Sequence, residues 1–128
     1  MVSTRLEHLN VTVSDPQATA AWIERIFGWQ IRWEGPGMET GYTIHIGEKD
    51  SYVALFAYPD ANEPNDRDPH KVQGGLNHWA VVVDDLDAVE ARVKAEGFQP
   101  MSHADYEPGR RFYFEDHDGI EIEVVQYD

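Results

Sequence analysis

The sequence predicts an α+β protein made of two βαβββ modules, and three observations predict it. Leu6-Glu7-His8-Leu9-Asn10-Val11-Thr12-Val13-Ser14-Asp15 recurs as Leu76-Asn77-His78-Trp79-Ala80-Val81-Val82-Val83-Asp84-Asp85, with Leu, His, two Val and the closing Asp in matching places. Each copy is followed by a helical stretch that stops at a glycine. Three short strand-like runs then follow each helix. A repeat of this kind is one supersecondary unit used twice.

In the first copy, polar and apolar residues alternate over 6–13, the period of a strand with one buried face. Ser14-Asp15-Pro16 offers a capping oxygen and then a proline suited to a first helical turn. A helix is expected over 16–27, with Ala18, Ala21, Trp22 and Ile26 as its apolar residues and Gly28 as its stop. Strands are expected near 29–34, 41–46 and 52–57. The second copy reads the same way: strand 76–83, cap Asp84-Asp85, helix 86–96 carrying Ala88, Val89, Ala91 and Val93, stop at Gly97, then strands near 98–102, 110–115 and 120–126. One domain, 1–128, is expected, with modules of about 1–58 and 74–128. The loop 59–73 that joins them is rich in Pro, Asp and Asn. It is a solvated linker or, being long for a connection, a lid over a site.

The chain has 128 residues, 10 Lys and Arg against 24 Asp and Glu, a formal net charge of −14, six His and no Cys. With 41% hydrophobic residues it can bury a core in spite of its charge. The absence of Cys excludes disulfide frameworks, iron–sulfur clusters and cysteine-ligated zinc. The acidity argues against nucleic acid and anionic membrane surfaces as partners. No apolar run approaches the roughly 20 residues of a membrane-spanning helix, and the first residues carry no signal-like segment. A soluble, cytoplasmic protein is the expectation.

Strand side chains alternate between faces. Leu9, Val11 and Val13 share one face of the first strand, and His8, Asn10 and Thr12 the other. In the repeat, Trp79, Val81 and Val83 face the helix and His78, Ala80 and Val82 lie opposite. In the last strand Ile120, Ile122 and Val124 are expected on the helix side, which turns Glu121 and Glu123 to the face of the two His. A carboxylate inside a strand built for burial is costly unless exposed, paired or metal-bound. Two imidazoles and one carboxylate form a 2-His-1-carboxylate set with open positions, suited to Fe(II), Mn(II), Ni(II), Co(II) or Zn(II).

On these residues the chain resembles the vicinal oxygen chelate superfamily. That group holds glyoxalase I, the extradiol ring-cleaving dioxygenases, the fosfomycin-modifying thiol transferases and the bleomycin resistance proteins. The resemblance rests on His8 with Asp15-Pro16, on His78 with Asp84-Asp85, and on the run from Phe112 to Val124. In that run Asp116, Asp118, Gly119 and Glu123 match the family pattern Asp-Pro-Asp-Gly-Asn-x-x-Glu-Leu, while His117 replaces the Pro and Ile120 the Asn. The resemblance implies paired modules whose mixed sheets curl around a divalent metal ion (the glyoxalase/dihydroxybiphenyl dioxygenase-like fold). It implies a substrate that chelates the ion through two neighbouring oxygens, and a homodimer. It also implies Glu123 as the ligand beside His8 and His78, with Glu121 as runner-up.

Relatives of the glyoxalase I type donate a fourth ligand from the last strand of the first module. Superposing the halves through Asp50 and Asp118 puts Leu55 there, and residues 51–56 hold no carboxylate. The base for a proton-shuttling isomerisation is therefore missing. The expected function is a metal-dependent enzyme leaning to oxygenase chemistry, with glyoxalase-type lyase or isomerase chemistry, or thiol transfer, as alternatives. A non-catalytic, bleomycin-resistance-type binding protein is the alternative from another class, and the retained His, His and Glu speak against it. Tyr113 and His45 hold equivalent strand positions and are candidate acid–base groups. Arg111, next to Arg110, and Trp33 are candidate substrate contacts. His103 and Tyr106 are further candidates, because ring-cleaving relatives carry a His and a Tyr near the metal. His70 and His117 read as loop residues, and Trp22, Trp29 and Trp79 as core.

Overall fold

Two aspartates set the starts of both helices. In the computed structural model, which describes residues 2–65 and 67–128, Asp15 accepts a hydrogen bond from the Ala18 amide and Asp85 one from the Ala88 amide, each at 3.1 Å. These caps open α1 (Pro16–Phe27) and α2 (Leu86–Ala95). Gly28 and Gly97, at φ 72° and 90°, end them in a conformation that side chains resist. Met1, and Asp66 of the expected loop, lie outside the described residues.

The strands are β1 (His8–Thr12), β2 (Gln30–Pro36), β3 (Tyr42–Gly47), β4 (Tyr52–Ala57), β5 (Trp79–Val82), β6 (Met101–Tyr106), β7 (Gly109–Glu115) and β8 (Glu121–Tyr127). The chain divides into two compact units, 1–62 and 63–128. Each holds one four-stranded mixed sheet, ordered β1-β4-β3-β2 in the first unit and β5-β8-β7-β6 in the second. The first strand of each unit runs parallel to the last, and the remaining pairs are antiparallel. The architecture is α+β, βαβββ twice.

Each helix lies against the two inner strands of its own sheet, α1 on β3 and β4, α2 on β7 and β8. Trp22, Ile23, Ile26, Ile44, Ile46 and Leu55 are buried in the first unit, and Val93, Phe112, Phe114, Ile122 and Val124 in the second. The expected faces are the observed ones. His8, Asn10, Thr12, His78, Ala80 and Val82 are exposed, while Val13 and Val81 are buried.

Several strand boundaries differ from the sequence reading, most of them by a residue or two, and β6 ends at Tyr106 rather than 102. β1 and β5 start at His8 and Trp79 rather than at 6 and 76, where their ladders to β4 and β8 begin; Leu6 and Leu76 are exposed. β6 begins at Met101 rather than 98. Phe98 is used to leave the helix, its amide donating to the Val93 carbonyl (3.2 Å), and Pro100 has no amide to offer a ladder. A register shift between Met101 and Ala104, with Ser102 at φ 54°, then bends the strand. Short 3-10 turns, Met38–Thr40 and Pro69–Lys71, were not expected.

The turn from β7 to β8 is built on Asp116, whose Oδ1 accepts from the amides of Asp118 (2.9 Å) and Ile120 (3.0 Å), while Gly119 takes φ 75°. Neither His117 nor Ile120 disturbs it. Burial pushes the Asp116 carboxyl above the usual carboxylate range, against the pull of those two amides. The folded protein thus keeps that proton to higher pH than the unfolded chain, so this group costs stability as pH rises from about 4. Asp116→Ala should lower stability by about 1–3 kcal/mol through two lost hydrogen bonds. Asp116→Asn keeps the acceptor and should gain on the wild type as pH rises above about 4. Urea denaturation at a series of pH values reads both.

Candidate metal centre

Glu123 sits in the middle of β8, between Ala80 of β5 and Tyr113 of β7. Ile122 and Val124 point to α2, so strand parity turns Glu123 to the opposite face together with Glu121, Arg111 and Tyr113. The alanine opposite leaves room for the carboxylate. The Glu123 side chain is only 9% exposed, and both of its oxygens are engaged. Oε1 lies 3.0 Å from His78 Nε2, and Oε2 accepts from Arg111 Nη1 at 3.0 Å.

His78 stands just before β5. Its Nδ1 lies 3.3 Å from Glu121 Oε2, and Tyr113 meets its ring edge-on with centroids 5.5 Å apart. One nitrogen thus faces Glu123 and the other faces Glu121. Such a second carboxylate fixes the orientation of a ligating imidazole. Glu121 is held in turn by His70 Nε2 at 3.4 Å. His70, read from sequence as a loop residue, belongs to the Pro69–Lys71 turn, which Asp68 caps by accepting from the His70 amide (2.9 Å).

The first unit presents the same face with different side chains. His8 stacks on Tyr52 (centroids 4.8 Å), Tyr52 on His45 (4.7 Å), and Trp33 leans on His45 (5.3 Å). The Arg32 guanidinium lies 4.5 Å over the Tyr52 ring. His8 Nδ1 is 3.0 Å from Glu7 Oε1. Burial, with the nearby His8 and Arg32, lowers the His45 pKa, while Glu7 pulls it the other way. Burial, and then the Glu123 charge, raises the Tyr113 pKa. At neutral pH His45 is a neutral base and Tyr113 a protonated hydroxyl.

The registers correct one superposition. His45 pairs with Ala54 where Tyr113 pairs with Glu123, so the residue equivalent to Glu123 is Ala54, not Leu55. Leu55 points into the core. The β7–β8 turn is one residue longer than the β3–β4 turn, and that residue flips the parity. By the same registers Tyr52 stands where the second unit has Glu121. The first sheet offers no carboxylate at either place.

The structure brings His78 and Glu123 together in the second unit, with Glu121, Arg111 and Tyr113 beside them. His8, His45 and Trp33 share a face of the first unit. His103 goes elsewhere, its Nε2 lying 2.8 Å from Glu90 Oε2 on α2. Tyr106 lies under the Arg111 guanidinium at 4.6 Å. Arg110 takes the helix side, with Nη1 3.3 Å from Asp87. Trp22 is core, Trp29 and Trp79 are half-buried, and His117 packs on Phe98 (centroids 5.0 Å). Among the described residues no group of three or more His, Asp or Glu is arranged to hold a metal ion. The converging pair suits a divalent cation by its chemistry: an imidazole nitrogen and a carboxylate oxygen, 3.0 Å apart, the carboxylate 9% exposed and the imidazole 30%.

No helix of the described residues is long and apolar enough to cross a membrane. No curated protein matches the chain. Among solved structures, a glyoxylase/bleomycin resistance protein/dioxygenase domain from Frankia sp. EAN1pec is 21% identical with a TM-score of 0.83, covering 99% of this chain and 100% of that one. A protein from the mobile metagenome of V. Pseudocholerae is 25% identical with a TM-score of 0.69, covering 100% of this chain and 98% of that one. The fosfomycin resistance protein FosX from Listeria monocytogenes, complexed with Mn(II) and sulfate, is 19% identical with a TM-score of 0.72, covering 100% and 95%. The family model that matches spans residues 5–124, and the chain belongs to the Glyoxalase/Bleomycin resistance protein/Dioxygenase superfamily.

Proposed function

We propose that this protein is a divalent-cation-dependent enzyme whose substrate binds the cation through two neighbouring oxygens. His78 Nε2 and Glu123 Oε1 are two of the ligands, and the repeated sequence pattern alone nominates His8 as the third. The observation that carries this reading is the pair itself: an imidazole nitrogen held 3.0 Å from the oxygen of a carboxylate that is only 9% exposed in the centre of a sheet. A bound cation supplies Lewis acidity to the substrate oxygens at such a centre. Glu121 holds Nδ1 of His78, which leaves Nε2 to ligate, and Arg111 holds the second oxygen of Glu123. The protonated Tyr113 hydroxyl donates toward bound substrate, and neutral His45 accepts a proton.

Oxygenase chemistry on a diol or enediol is the reaction class that three protein ligands and open positions favour. Isomerisation of the glyoxalase I type is disfavoured by Ala54, which leaves no carboxylate at the position equivalent to Glu123 to shuttle a proton. A second reading, lyase or transferase chemistry on a small anion, draws on the Arg111 cation beside Glu123 and on the likeness to FosX. A homodimer and a cytoplasmic location accompany both readings.

The protein purified without chelator should carry about one divalent ion per chain by elemental analysis. Catechols with Fe(II) under oxygen, hemithioacetals with Ni(II) or Zn(II), and fosfomycin with Mn(II) and a thiol or water separate the reaction classes. A metal-free protein inert in all three assays overturns the proposal. Glu123→Gln should lose most of the bound metal and keep its fold; unchanged occupancy would move the ligand to Glu121. In urea, Glu123→Gln should cost about 2–4 kcal/mol, because Arg111 is left buried without its counter-charge. Adding Arg111→Met should recover part of that loss in a double-mutant cycle.

A further inference from the structure

Arg111 has more donors than its neighbours accept. Its side chain is 12% exposed, and Nη1 is used by Glu123 Oε2. Nε and Nη2 are buried and have no acceptor among the described residues. These two nitrogens lie on one edge of the guanidinium plane and point their N–H groups the same way. That edge is the fork that meets the two oxygens of a carboxylate in parallel. Buried charged donors left without acceptors are costly, so native proteins seldom keep them without a use.

We infer that the Nε–Nη2 edge of Arg111 is the specificity element of the site, and that the substrate is a small organic acid whose carboxylate it clamps. The inference rests on the reading above for the site, and adds the substrate class. Glu123 ties the two together: one of its oxygens faces His78 and the other holds Nη1, so the guanidinium is fixed one carboxylate away from the reacting centre. Tyr106 backs the face of the guanidinium at 4.6 Å and is itself 57% exposed, so it leaves the Nε–Nη2 edge to the ligand.

Charge decides between a carboxylate and a dianionic phosphate. Arg111 is the cation on this face that is charged at every pH, and Glu123 already shares it. Glu121 and Glu123 both stand beside it. A monoanion with two coplanar oxygens completes the fork, whereas at the metal-free site a second negative charge would face two carboxylates with no further cation of the protein beside them. The adjacent Arg110 cannot contribute, since it pairs with Asp87 on the helix side.

The test uses lactate, whose carboxylate adjoins a second oxygen, against lactamide, which has the same shape without the charge, and against inorganic phosphate. Each is titrated into metal-free and Mn(II)-loaded protein, followed by calorimetry and by the NMR signal of the Arg111 Nε–H group. Lactate should bind saturably and shift that signal, lactamide should bind at least tenfold more weakly, and phosphate more weakly than lactate. Arg111→Lys, which keeps the charge and loses the fork, should lose at least tenfold in lactate affinity while melting as a folded protein. Equal binding of lactate and lactamide, tighter binding of phosphate, absence of lactate binding, or full lactate affinity in Arg111→Lys would each overturn the inference. Mn(II) uptake by the wild type, measured on the same samples, tests the metal reading separately: lactate held by Arg111 in a protein that takes up no Mn(II) upholds the clamp and rejects the metal.

Discussion

A carboxylate in the middle of a central strand has to be compensated where it stands. Glu123 has Ala80 on one side and Tyr113 on the other, with apolar residues before and after it on the reverse face. Taking a charge of this kind out of water costs several kcal/mol, which attraction to a partner recovers only in good geometry. The geometry here is divided: His78 meets one oxygen and Arg111 the other. The rest of the second unit's open face serves that arrangement. Tyr106 backs Arg111, Tyr113 meets the His78 ring edge-on, Glu121 holds the far nitrogen of His78, and His70 holds Glu121. Removing Glu123 or Arg111 leaves a nearly buried charge without its partner, so the face behaves as a coupled network rather than a set of independent contacts.

The two units show what duplication leaves free. Caps, helix stops, strand order and the placement of a histidine at the first strand are shared. The chemistry around that histidine is not. His78 stands among Glu121, Glu123 and Tyr113, while His8 stands beside Tyr52, Ala54 and His45. A stacked array of Tyr52, His45 and Trp33 holds its shape through ring contacts worth about 0.5–1.5 kcal/mol each, with little need for charge. The second face is held by ion pairs. One backbone thus carries an aromatic surface in the first unit and an electrostatic one in the second.

Most of the fold was legible because its signals are local. Asp15 and Asp85 cap the residues that follow them, Gly28 and Gly97 stop the helices they end, and the period of two in β1 and β5 assigns their faces without any tertiary information. What escaped depends on pairing. Ala54 rather than Leu55 matches Glu123 because one turn is a residue longer than the other, and turn length at that resolution is settled by which residues end up opposite each other. β6 was misplaced because Phe98 and Pro100 look like strand residues and are spent on leaving the helix. His70 lies 51 positions from Glu121 in sequence, and nothing near it announces a carboxylate partner.

The overall charge and the buried arginine act at different ranges. With a formal charge of −14 the surface repels anions, but in physiological salt that repulsion is screened beyond about 8 Å. A forked contact at bonding distance in a nearly dry site is screened far less. The surface therefore slows the approach of an anionic substrate without cancelling what it gains once it reaches Arg111. A neutral molecule meets no such barrier and gains nothing from the fork, which leaves its unsatisfied donors where they were. Selectivity of this kind comes from the state the protein is left in when the wrong molecule binds, and a site with two buried, unanswered N–H groups is strongly biased against molecules that cannot answer them.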